Sequence, residues 1–166
     1  MDSAAIHNEP ENDDGDGDPT RPHALQAAAF SAIVGIPLLA AARKGRLPAT
    51  IPARDLALIG VATHKMSRLI TKDKITDFLR APFTEHEGHA HLNEVNVKAR
   101  GEGLQHAMGE MLSCPFCTGA WLAGLLVVGT VYAPRITRAV TGMFTALSVA
   151  DFLHIAYAGA ADAVEG

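Results

Sequence analysis

Cys114-Pro115-Phe116-Cys117 holds both cysteines of the 166-residue chain. Ser113 is a good N-cap, and Pro115 suits the first helical turn, where its missing N–H costs nothing. The spacing therefore puts two thiols at the mouth of a helix, whose dipole favours a thiolate. Three chemistries are open to such a pair. It can cycle between dithiol and disulfide, although no βαβ pattern surrounds it and no second cysteine pair is present to relay electrons. It can supply half of a closed zinc site. Or it can be structural, as small polarisable side chains at a helix entry.

A second constellation lies upstream. Glu85-His86-Glu87-Gly88-His89-Ala90-His91 packs three imidazoles and two carboxylates into seven residues, and His106 follows nearer the thiols. Imidazoles suit Zn, Ni or Cu, and two of them with Cys114 and Cys117 would complete a tetrahedron. The plain alternative is a solvated His/Glu-rich loop. A third group is made of charges inside apolar sequence. Asp151 is the sole charge in residues 139–161. In a bilayer it must be paired or protonated. Lys65 or Arg68 is the partner expected for it, with His154 or His64 sharing the site. This is either one salt bridge joining two helices or part of a proton or ion path. A single acid makes a poor relay, which favours the salt bridge. Gly101-x-Gly103 is too weak a signal for phosphate binding without a preceding strand, and no Ser/His/Asp elbow, HExxH or P-loop is present.

These residues must be positioned by helices. Residues 24–42 hold 19 positions without a charge, residues 111–134 hold no acid or base but the two thiols, and residues 139–161 hold Asp151 alone. Each approaches the roughly 20 residues needed to span a bilayer. Pro37 would kink a soluble helix, but membrane helices tolerate it. Trp121 and Tyr132 suit headgroup positions, and Gly119, Gly124 and Gly129 allow close helix approach. Residues 55–71 form a shorter, charged span if Lys65 and Arg68 snorkel or pair. Ile75, Phe78 and Leu79 then mark a short interfacial helix ended by Pro82. Residues 84–110 are a polar connection.

The composition has two parts. Seven of the 18 acids fall in the first 18 residues, and no Lys or Arg appears before Arg21. From Arg21 onward 14 basic residues face 11 acidic ones, so the overall charge of −4 belongs to a tail. That balance is no dense basic stripe and excludes a nucleic-acid partner. Residues 1–22 read as a disordered acidic tail without a secretory signal.

The stretch from residue 53 to about 159 resembles a bacterial family catalogued as domain of unknown function 1360. HKMSRLITKDKITDFLRAPF (64–83) and GEGLQHAMGEMLSCPFCTGAW (101–121) carry the resemblance. Its specific elements are Arg68-Leu69, Asp73, Arg80, and Cys114-Pro115-x-Cys117 followed by Gly119 and Trp121. The resemblance implies a multi-span integral-membrane protein, sometimes associated with sporulation, and brings no established reaction. Residues 1–52 look like an addition to the family core.

The expectation is an all-α integral-membrane protein with four membrane helices, one shorter and charged, plus the interfacial helix. The domains are a tail (1–22), an added first membrane helix and basic loop (23–52), the family-like domain (53–161) and a short end (162–166). The protein is expected to be multi-pass in the cell membrane. Its partners are the lipid bilayer and a protein partner or a second copy. A structural or interaction role without catalysis is expected. The rivals are a thiol-disulfide oxidoreductase using Cys114 and Cys117, and a zinc-binding membrane protein using Cys114, Cys117, His86, His89, His91 and His106. The basic residues divide evenly between the two faces of a four-span arrangement, so they do not orient it.

Overall fold

The computed structural model describes residues 20–89 and 95–165. The expected tail therefore lies almost entirely outside the described residues, as does His91. α1 (Thr20–Phe30) begins the chain with Pro22 in its first turn, where proline loses no helical bond. It continues through a widened π-helical turn (Ser31–Gly35) into α2 (Ile36–Arg43). Pro37 is tolerated within this helix, as expected, and the widened turn lies just before it. Pro37 has no N–H to close a bond one turn back, and the preceding turn loosens instead of breaking.

α3 (Ala53–Thr71) follows. A 3₁₀ turn (Lys74–Thr76) and the four-residue α4 (Asp77–Arg80) come next. Here the expected interfacial helix proves to be barely one turn. Ile75, Phe78 and Leu79 are nonetheless exposed as its pattern requires. The polar connection is not all loop. It holds an antiparallel hairpin, β1 (Thr84–His89) paired with β2 (Val95–Ala99), and then α5 (Gly103–Ser113). The fold is thus nearly all-α, with one two-stranded sheet. α5 packs closely on the hairpin. A Cβ at Gly109 would strike Phe83 O and meet Ala99 Cα at 3.0 Å, both backbone atoms that cannot step aside. α6 (Pro115–Tyr132) and α7 (Pro134–Glu165) complete the chain.

Named contacts fix the helix directions. The start of α1 lies on α5, with Gln26 Nε2 donating to Ala107 O at 2.8 Å. Its middle meets α6, where Phe30 stacks edge-on against Trp121 and a Cβ at Gly124 would strike Val34 at 2.8 Å. Past α2, Arg46 covers the Tyr132 ring, and the Tyr132 hydroxyl donates to Pro37 O. α1–α2 and α6 therefore run the same way. α3 runs the opposite way, since Thr63 and Ser67 near its end touch Gly119 near the start of α6. α7 turns back from α6 at Ala133 and is parallel to α3. Asp55 pairs with Arg138 at 3.2 Å, and Lys65 with Asp151 at 2.7 Å, in the same order along both helices.

The packing is inverted relative to a water-soluble bundle. Inside sit small and hydroxyl-bearing residues: Ala41, Ala62, Ser67, Thr71, Thr118, Thr137, Thr141 and Ser148 are all buried. Their polar atoms find partners locally. Thr71 donates to Ser67 O, Thr118 to Met111 O and Thr141 to Thr137 O. Between helices, Thr145 donates to Leu58 O. The buried apolar cluster is small, built on Ile59, Ala62 and Leu126. Outside, large apolar side chains such as Ile33, Ile36, Leu39, Leu125, Leu147 and Phe152 are exposed. Close approach through small residues with apolar side chains turned outward is the arrangement lipid favours. Among the described residues, three helices are long and apolar enough to cross a membrane: Arg21–Arg43, Pro115–Tyr132 and Pro134–Val164. α3 falls outside that group because of its charges.

Candidate functional site

The thiols come first in the sequence argument, and the structure changes their local role. Ser113 is not the cap of α6. It is the last residue of α5, and its hydroxyl donates back to Gly109 O at 2.7 Å. Cys114 is the cap: its extended backbone ends one helix and starts the next, and its Sγ accepts the Cys117 N–H at 3.3 Å. A sulfur thus takes the place a serine or aspartate oxygen usually fills. Both cysteines are free thiols, Cys114 half-buried and Cys117 exposed. The Cys117 thiol hydrogen-bonds to Cys114 and holds the Cys114 thiol below an ordinary cysteine. Burial opposes this, while the Cys117 and Phe116 N–H groups and the charge of Lys72 add to it. Alkylation of Cys114 is accordingly expected to reach its half-maximal rate at a pH below that of an ordinary thiol, about 8.5. Cys117→Ala should move that midpoint upward, read as a pH series of iodoacetamide rates by peptide mass. An unchanged midpoint would deny the hydrogen bond its role.

Of the histidines expected beside the thiols, His106 is the one whose side chain is described. His106 on α5 lies 3.7 Å from Glu110, which also faces His23 at 3.6 Å. The backbones of His86 and His89 are in β1, paired with Val97 and Val95. Among the described residues no three His, Cys, Asp or Glu side chains form a group able to hold a metal ion.

The charged residues do come together. Lys65 on α3 reaches Asp151 on α7 at 2.7 Å and Asp73 beyond the end of α3 at 3.8 Å. The Lys65 side chain is 16% exposed, so its ammonium depends on these carboxylates for solvation. Arg68, His64 and His154 line the same cavity, of about 620 Å³, with Lys74, Ser148 and the apolar Ile75, Phe152 and Ile155. A second cavity of about 140 Å³ lies at the opposite end of α3, beside Asp55 and Arg138.

One residue was not legible as part of this site. Arg80 is fully buried. Its Nη1 donates to Ile70 O at 3.1 Å, and its Nη2 to Asp73 O at 3.1 Å and Asp77 Oδ1 at 3.3 Å. The guanidinium therefore takes up a carbonyl left open at the C-terminus of α3 and fixes the turn that presents Asp73 and Lys74. Thr76 assists by donating to Leu69 O. The sequence signal for this was the pair of acids Asp73 and Asp77 preceding an arginine in an otherwise amphipathic turn.

Fold and site together define a small, nearly all-helical protein with membrane-length helices and a charge cluster where α3 meets α7. The chain belongs to the family described as protein of unknown function (DUF1360), which matches residues 58–157. That range takes in α3 from Leu58 onward, the hairpin, the thiols and Asp151. Two proteins of Bacillus subtilis (strain 168) are similar to it. UPF0713 protein YngL is 35% identical over 80 residues, 46% of this chain and 57% of that protein. Sporulation protein YjcA is 31% identical over 83 residues, 48% of this chain and 70% of that protein. The chain thus spans little more than half the length of the first of these relatives. No solved structure matches the chain.

Proposed function

We propose that the protein is a multi-pass component of a bacterial cell membrane, with four crossings made by α1–α2, α3, α6 and α7. Its role is structural or interactive, in an envelope or sporulation setting, and involves no catalysis. The observation that carries the four crossings is direction. α1–α2 and α6 run the same way, so if both cross the bilayer the chain between them must return through it. α3 lies alongside them in the opposite sense, and its 19 residues cover about 28 Å at 1.5 Å per residue, close to the roughly 30 Å of a hydrocarbon core. Two of its four charges are matched from α7, Asp55 by Arg138 and Lys65 by Asp151. This arrangement makes a charged helix tolerable in lipid.

The sporulation setting is suggested by the name of the relative YjcA. The non-catalytic reading is favoured by the thiol geometry, because Cys114 has a capping task that needs no second substrate. The experiment is to locate the 44–52 loop and the hairpin relative to the bilayer. Opposite sides support the reading, and a shared side removes α3 from the spanning set.

A further inference from the structure

We infer that the cavity between the end of α3 and α7 binds the phosphate group of an amphiphile, a phospholipid headgroup with its acyl chain along α7. The inference rests on the membrane reading above and deepens it. The cavity lining carries three cationic side chains, Lys65, Arg68 and Lys74, against two carboxylates, and two imidazoles besides. Both carboxylates are within 4 Å of Lys65. The lining thus holds one more cationic side chain than carboxylates. Arg and Lys at one concave site suit a tetrahedral anion, Arg through its fork and Lys as a point charge.

The size and the other wall select the rest of the ligand. At about 620 Å³ the space exceeds a lone phosphate, and Ile75, Phe152 and Ile155 line it with exposed apolar surface. A ligand with one charged end and one apolar end satisfies both walls. The depth agrees. Asp151 lies 17 residues from Pro134, about 26 Å along α7. If Pro134 marks one edge of an about 30 Å core, the cavity sits at the opposite headgroup level. Asp73 and Lys74, in the turn after α3, line its outer edge.

The test uses the full chain purified in detergent. In one arm, native mass spectrometry counts the lipid retained after mixing with equimolar phosphatidylglycerol and phosphatidylcholine. In the other, inorganic phosphate is titrated by calorimetry with no bilayer present, so this arm stands even if the membrane reading fails. Phosphatidylglycerol is expected to be retained preferentially, and Lys74→Gln with His154→Gln to weaken it about ten-fold, the loss of charge-assisted hydrogen bonds. Lys74 and His154 are exposed and take no part in the Lys65 pair, so the fold should stand; circular dichroism checks it. Phosphate titrating in the second arm without lipid preference in the first keeps the site and assigns it a soluble phosphate. No preference and no titration overturns the inference. So does a preference that the double variant leaves intact.

Discussion

Arg80→Ala is expected to lower stability by about 3 kcal/mol or more, since it strips charge-assisted hydrogen bonds from a buried site. The guanidinium has no exposure. Removing it leaves Ile70 O and Asp73 O without those donors and deprives Asp77 of a cation at 3.3 Å. It also leaves a void at the end of α3. Arg80→Lys should recover only part of the loss, because an ammonium cannot fork between two carbonyls and a carboxylate. The measurement is thermal unfolding in detergent, with limited proteolysis to see where the chain opens. Cleavage should appear first between residues 72 and 82. Wild-type melting in Arg80→Ala would mean that the turn holds without its clamp.

The second large effect concerns the pair that joins α3 to α7. Asp151→Leu should destabilise the protein by about 3 kcal/mol, because it leaves a nearly buried ammonium with only Asp73, at 3.8 Å. Lys65→Met alone should cost less, since Asp151 is 48% exposed and keeps contact with solvent. The double change Lys65→Met with Asp151→Leu should regain most of the loss, as apolar replacements often match a buried pair. A double-mutant cycle reads the coupling directly. Additive losses would show that the two side chains do not depend on each other, and that α3 needs no ion pair to sit beside α7.

The helices were the most legible part of the chain. Long runs with at most one charge at 24–42, 111–134 and 139–161 can hardly be anything else, and three helices follow them, the second beginning only at Pro115. The grouping of Asp151 with Lys65, Arg68 and His154 was also readable. An acid in apolar sequence needs a cation, and few were on offer. The hairpin was not readable. TEHEGH and VNVKA are short and polar, and their pairing depends on Gly109 letting α5 lie against them. That is a tertiary contact with no periodic signature. The cap of α6 was misplaced by one residue for a related reason. Ser113 is the better capping type, but α5 runs through it, and a chain that leaves one helix to enter another at Cys114 must cap with what stands there. Arg80 was legible only as an element of the family resemblance, next to the amphipathic turn. Its burial follows from the chain doubling back under the end of α3, which local pattern cannot encode.

The proposal of four crossings rests on α3 returning the chain through the bilayer. Side-specific labelling tests this most directly. In a background with Cys114→Ser and Cys117→Ala, single cysteines are introduced as Thr50→Cys, Arg135→Cys and Lys98→Cys, all at exposed positions. A membrane-impermeant maleimide is then applied to intact and to opened cells. Thr50→Cys and Arg135→Cys should label from one side, and Lys98→Cys from the other. Labelling of Thr50→Cys and Lys98→Cys from the same side would contradict the account, because α3 would then have begun and ended without crossing.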